Sequence, residues 1–210
     1  SSVTFMKNVA QHDFFPAPLS PAAWGKAVAF HGHACPGLAL GCRMALAAVR
    51  ALALDDSFLT APGAGNAGAA APLSPDEELV CVAETDACCV DAAQSLLGCT
   101  LGKGNLLLKL RGKTALTFYH RPTARAVRVL WTAAATSDES REERMERFLY
   151  GPEDGLYRVR EVPFDPPGRA LISASLPCAG CGEPTAEYAV RLRDGKPWCP
   201  DCFPDPARIL

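Results

Sequence analysis

No stretch of this 210-residue chain approaches the roughly 20 consecutive apolar residues that a membrane-spanning helix needs. Its opening, SSVTFMKNVAQHDFF, lacks the basic start and apolar stretch of a signal peptide; a first residue other than methionine leaves a removed leader as an open alternative. An excess of charge is missing too. Lys and Arg number 21 against 23 Asp and Glu, for a net charge of −2 and a pI near 6.1. That balance gives no global pull toward nucleic acid or an anionic membrane, while still allowing a local basic patch. There is no internal repeat. What remains is ordinary for a globular protein, 49% apolar and 21% charged. The length suffices for one good core and a small appendage.

Cysteine is what the chain has in quantity: ten, at positions 35, 42, 81, 88, 89, 99, 178, 181, 199 and 202. A secreted disulfide scaffold would be shorter and poorer in helical segments. The last four have metal-ligand spacing, which requires thiolates. The expectation is a reducing compartment, the cytoplasm.

Local patterns predict a mixture of helices and strands. Ser20-Pro21 caps and opens a helix that ends near Gly32. Pro36 opens a second, GLALGCRMALAAVRALAL, apolar almost all round and therefore a core helix, with Arg43 and Arg50 sharing one face. Residues 55–76 are rich in Gly, Ala and Pro without period and read as a mobile surface insert. ELVCVAE reads as a buried strand, and TDACCVDAAQSLLG as a helix capped by Asp86 or Thr85 and ended by Gly98. NLLLKL and TALTFYH read as a strand hairpin turning at RGK, with ARAVRVLW and LYRVREV as further strands. TSDESREERMERFLYG reads as an amphipathic helix with a Thr136/Glu139 capping box and a Met145, Phe148, Leu149 stripe. Strands and helices without strict alternation predict an α+β core over residues 1–165, a linker at 166–176 and a terminal module at 177–210.

That module holds Cys178-x2-Cys181 and Cys199-x2-Cys202, seventeen residues apart. Two close pairs let each short loop wrap two sulfurs around one ion, as in tetrahedral zinc sites. Two disulfides are the weaker alternative. With all four positions filled by cysteine the zinc is structural, and in so short a module it supplies most of the folding free energy. Between the pairs, EYAVRLRDGKPW reads as a hairpin turning at Asp194-Gly195, with Arg191, Arg193 and Lys196 along a mildly basic edge. Such an edge can touch nucleic acid but is more often a solvated face.

HGHACPG, residues 31–37, holds the other cluster. Cys35 precedes Pro36 and so sits at a helix N-cap, where free N–H groups and the helix dipole favour thiolate. If the segment is extended, His31, His33 and Cys35 project to one side as donors for zinc or another transition metal. The plain alternative is a capped helix start with two hydrogen-bonded histidines. Cys88 in ETDACCVDA marks a second helix start, able to complete a set of His33, Cys35 and Cys88 with one position open. Asp86 would orient a histidine, or simply cap its helix. Cys42 and Cys81 read as inert core residues, and Cys89 as pointing elsewhere. Lys103 in GCTLGKGN could offer an ammonium to an anion, though a plain loop is the default. Tyr119 and His120 end a strand and could reach the same site.

HGHACPGLALGCRM, ETDACCVDAAQSLLGCTLGKGNL, TALTFYHR and the terminal CxxC pairs together resemble the FmdE family of formylmethanofuran dehydrogenase components, over residues 20–165 and the zinc module. The resemblance implies an α+β core followed by a small treble-clef-like zinc finger, and a homodimer. It implies a core site at His31, His33 and Cys35, with Asp86 and Cys88, and more weakly Cys99 and Lys103. Cys42 and Cys89 depart from the family pattern. In methanogens the FmdE component accompanies a molybdenum- or tungsten-dependent complex that reduces carbon dioxide onto methanofuran, so other dehydrogenase subunits are expected partners. Two functions follow: a redox or C1-linked enzyme or accessory component, with Cys35, Cys88 and Asp86 in its chemistry and Lys103 toward a cofactor; or a regulatory protein whose finger contacts nucleic acid or a partner protein.

Overall fold

The computed structural model describes residues 19–60, 73–134, 136 and 138–203. The chain divides into two compact units, Ser1–Arg169 and Ala170–Leu210. The first is an α+β domain in which helices pack on one face of a five-stranded sheet; the second is small and carries the four terminal cysteines. Among the described residues no helix is long and apolar enough to cross a membrane.

Helix α1, Pro21–His31, starts where Ser20 Oγ accepts the Ala23 N–H at 3.1 Å, and it ends at Gly32, whose φ of 92° lies in the left-handed region. Helix α2, Pro36–Ala51, is buried along almost its whole length, with Leu38, Met44 and Leu46 at its centre. A short turn of helix, α3, spans Ser57–Thr60; it occupies part of the expected insert, of which residues 61–72 lie outside the described ones.

Strand β1, Leu79–Ala83, precedes helix α4, Cys89–Leu97, which Gly98 terminates at φ 76°. Strand β2, Leu106–Leu108, then pairs with β1 in parallel. The strand β3, Ala115–His120, pairs with the other edge of β1, followed by β4, Arg125–Trp131, and β5, Tyr157–Glu161, all antiparallel. The sheet order is β2-β1-β3-β4-β5. The expected hairpin of NLLLKL with TALTFYH is therefore not formed: β1 lies between the two strands. The helix α4 crossover returns the chain parallel to β1, a connection that a hairpin cannot make and a βαβ unit does.

Helix α5, Arg141–Tyr150, packs on α2. Its capping box is Ser140 with Glu143, not Thr136 with Glu139. Both pairs fit the S/T-x-x-E pattern, and the one adjoining the helical run takes the role. Glu139 serves instead as the carboxylate for Arg144 and Arg147, and Thr136 donates to it. Phe148 and Leu149 are buried, with Met145 partly so.

Alternation decides which side chains meet the helices. Leu79, Cys81, Leu116, Phe118, Val127 and Val129 face the core. Arg43, inside this core, donates to the Leu149 carbonyl at 2.7 Å and the Gly151 carbonyl at 3.2 Å, and so completes the end of α5. With Arg50 it shares Glu153, as their common face allows. Close contact between α2 and α4 depends on Gly41: a Cβ there would lie 2.5 Å from Cys89 Cα. Asn105 is fully buried; its amide nitrogen faces the Ser74 hydroxyl and the carbonyls of Asp76, Leu79 and Gly98, while its oxygen accepts the Thr100 N–H.

In the second unit, β6, Ser175–Pro177, pairs with β7, Pro184–Ala186, and β8, Arg191–Arg193, with β9, Lys196–Trp198. Asp194 and Gly195 have φ of 53° and 71°, the left-handed pair that a two-residue hairpin turn requires.

Candidate metal centres

In the terminal unit the four sulfurs of Cys178, Cys181, Cys199 and Cys202 all lie within 4.8 Å of one another. Backbone N–H groups of Gly180 and Cys199 point at Cys178 Sγ at 3.3 and 3.2 Å, and Cys202 N–H at Cys199 Sγ at 3.4 Å. The Cys199 N–H foremost, then the N–H groups of Cys181 and Gly180, pull the Cys178 thiol down to about 6. Its neighbour Cys202 is pushed up to about 12 by the crowding of the Cys199 and Cys181 side chains. Four sulfurs packed this closely cannot all ionise without a cation among them, and a divalent ion would reverse that penalty. The loop is moulded to the cluster: a Cβ at Gly180 would sit 2.9 Å from Cys202 Cβ and 3.0 Å from the Trp198 ring. The donor set and its geometry fit a metal ion.

The second centre lies at the corner between α1 and α2. His31, His33 and Cys35 present one donor atom each, all within 4.8 Å of one another. Their convergence has a different cause from the expected extended segment. His31 is the last residue of α1, Gly32 turns the chain at positive φ, and Cys35 is the N-cap of α2, its Sγ accepting the Leu38 N–H at 3.2 Å. Arg141 holds the same turn by donating to the Ala34 carbonyl at 3.1 Å. The His31 and His33 rings lie 4.6 Å apart between centroids. Cys35 is buried, His31 half-buried and His33 exposed, so the trio has a protein side and a solvent side.

The carboxylate that orients the histidine is Asp91. Its Oδ2 lies 2.6 Å from His31 Nδ1, and its Oδ1 accepts the Gln94 amide at 3.1 Å. A carboxylate accepts only a donor, so in the neutral ring Nδ1 carries the proton. Nε2, 3.6 Å from Cys35 Sγ, then keeps its lone pair for the trio. Asp86 is exposed on the segment before α4, and the N-cap position of that helix is held by Cys88, without a side-chain bond, rather than by Asp86 or Thr85. Val90 and Asp91 N–H reach back three residues, to the carbonyls of Ala87 and Cys88, so the helix starts with a tight turn that needs no side-chain cap. Thr85 accepts the Ala87 N–H instead. Asp91 was legible as the residue three beyond Cys88 on one helix face.

The starts of α2 and α4 do meet. The position a Gly37 Cβ would take is 3.4 Å from Cys88 Sγ and 3.9 Å from Cys35 Sγ. Burial first, then the neighbouring Cys35 thiol, raises the Cys88 thiol. Cys88 borders the trio without belonging to its tight group.

Other candidates lie elsewhere. Lys103 Nζ donates to the Ser74 carbonyl at 2.5 Å and ties down its own loop. Cys99 is fully buried, its thiol 3.5 Å from the Leu79 carbonyl and pushed up to about 12 by burial. Cys42, Cys81 and Cys89 are buried, with thiols likewise raised by desolvation. His120 pairs with Thr123 at 2.8 Å and Tyr119 packs against Phe164.

An α+β core with a His/Cys corner, followed by a four-cysteine unit, defines a class of candidate metal-binding proteins. Residues 30–162 match the family described as FmdE, molybdenum formylmethanofuran dehydrogenase operon, and the chain belongs to that family. A probable S-adenosyl-L-methionine-binding protein of Archaeoglobus fulgidus is 28% identical over 197 residues, with 81% of this chain and 50% of that protein covered. The chain thus spans about half the length of this curated relative. The crystal structure of a tungsten formylmethanofuran dehydrogenase FmdE-like protein from Syntrophus aciditrophicus shares the fold. Its TM-score is 0.57 at 22% identity, covering 85% of this chain and 88% of that one.

Proposed function

We propose that this FmdE-family chain carries two metal ions, a structural zinc on the four terminal cysteines and a transition metal at the α1–α2 corner, and that the second serves redox or C1-linked chemistry. The observation that carries the reading is the convergence of the His31, His33 and Cys35 donors within 4.8 Å, with a carboxylate already in place behind His31. Imidazole and thiolate together suit zinc or iron, and three protein donors leave coordination positions free. A metal bound there would supply Lewis-acid or electron-transfer chemistry at those positions. The chain's own residues do the positioning. Asp91 fixes the His31 ring, the Leu38 N–H in the first turn of α2 holds Cys35 Sγ in place, and the exposed His33 leaves the site open on the solvent side. Cys88 stands beside Cys35 as a further sulfur donor. Assembly as a homodimer, or beside dehydrogenase subunits, belongs to the same proposal. The archaeal relative's name concerns a protein half of whose length lies outside the match, so it assigns no S-adenosyl-L-methionine site to this core.

Metal analysis of the purified full chain tests this reading. Two ions per chain are expected, falling to one in His33→Ala and Cys35→Ser. One ion in the wild type, unchanged by either substitution, contradicts it.

A further inference from the structure

The face of the five-stranded sheet turned away from the helices holds a groove of about 400 Å³. Strand alternation puts Thr117 of β3, Arg128 of β4 and Arg160 of β5 on this side. The loop after β2 adds Lys109, Arg111 and Lys113. Five cations therefore meet over one groove in a chain whose overall charge is −2. The groove's single carboxylate, Glu84, is already bound through both oxygens to Arg128, at 2.5 and 2.9 Å. Among the described residues no carboxylate lies within ion-pair distance of Lys109, Arg111, Lys113 or Arg160. A second cationic recess, lined by Arg128, Leu130, Arg158 and Arg160, continues along β4 and β5.

Like charges gathered this closely repel one another, and the core does not require them: Lys109, Arg111, Lys113 and Arg160 are exposed at the rim, and Arg128 is half-buried. Their packing is not needed for the core, which lies on the opposite face. We infer that this groove is a binding site for a small molecule carrying two or more phosphate groups. Arg and Lys are the side chains that recognise phosphate, Arg by paired hydrogen bonds and Lys as a point charge. The volume matches one small ligand. A second copy of the chain is a poor occupant, because a two-fold contact would set cations against cations. A single-stranded nucleic acid is also disfavoured. Sheet faces that bind it carry several aromatic platforms, and here Tyr119 is the groove's one aromatic side chain, with its ring engaged by Phe164.

Titration calorimetry on the full chain at low ionic strength, with ADP as probe and adenosine as the phosphate-free control, tests the site. ADP is expected to bind and adenosine not to. Lys113→Ala/Arg160→Ala should weaken ADP binding by about tenfold or more, as should Lys109→Ala/Arg111→Ala, since each double variant removes two of the cations that line the groove. These side chains lie outside the core, so thermal melting should be unchanged. Binding of ADP and adenosine alike, indifference to both double variants, or no ADP binding at millimolar concentration overturns the proposal. A twelve-nucleotide single strand binding tenfold tighter than ADP would replace it with a nucleic-acid surface. None of these outcomes depends on the corner metal, whose ligands lie outside this groove.

Discussion

Asp91 Oδ2 sits 2.6 Å from His31 Nδ1, joining the first turn of α4 to the last residue of α1 across sixty positions of sequence. The contact selects the ring orientation that turns Nε2 toward Cys35. Replacing Asp91 by Asn keeps the size and loses the acceptor charge. Asp91→Asn should lower metal affinity at the corner by about 10–100-fold while leaving the fold intact. Competition with a chromophoric chelator reads the affinity, and circular dichroism the fold.

The approach of α2 to α4 sets a steric prediction. Any Cβ at position 41 meets the backbone of Cys89, not a movable side-chain tip. Gly41→Ala should destabilise the core by about 1–3 kcal/mol through forced separation of the helices. A fall in melting temperature of several degrees checks it; an unchanged temperature would mean that the helices can part freely.

Arg43 is buried and serves the end of α5 rather than the surface. Arg43→Met fills similar volume but leaves the Leu149 carbonyl without this partner. The loss should be about 1.5–3 kcal/mol, the range for a hydrogen bond from a charged donor, because the partly exposed Glu153 contributes little beyond it. Urea denaturation gives the difference directly.

Acid sensitivity follows from Glu139, whose carboxyl is held down to about 2, first by its hydrogen bonds with Arg147 and then by Arg144. A depressed carboxylate stabilises the fold fully above its ordinary value near 4.5 and loses that contribution as pH falls toward 2. Glu84, lowered by Arg128, has the same sign. Between pH 5 and 2, Glu139→Gln should flatten the decline in melting temperature relative to wild type.

Much of this architecture is written locally. Ser20-Pro21, Gly32, the Cys35 cap and the Asp194-Gly195 turn each depend on a residue and its immediate neighbours, and each stands where the pattern predicts. What the pattern could not place is partnership across distance. Nothing in LLL or ALTFYH states that β1 will lie between them. Asn105 reads as a loop residue until carbonyls and a hydroxyl from other segments close around it. The trio of donors was visible as HGHAC, but a turn rather than an extended strand brings it together, and Asp91 enters through the packing of α4 on α1. Cap boxes fail in a third way: two consecutive matches exist, and only the helix's actual start chooses between them.

The most direct test of the two-centre account is an anomalous-difference map from crystals of the full chain, recorded at the absorption edge of each metal it contains. The account predicts two peaks, one among the sulfurs of residues 178, 181, 199 and 202 and one bonded to His31, His33 and Cys35. A lone peak at the terminal cysteines, with the corner donors bonded only to one another and to water, would contradict it.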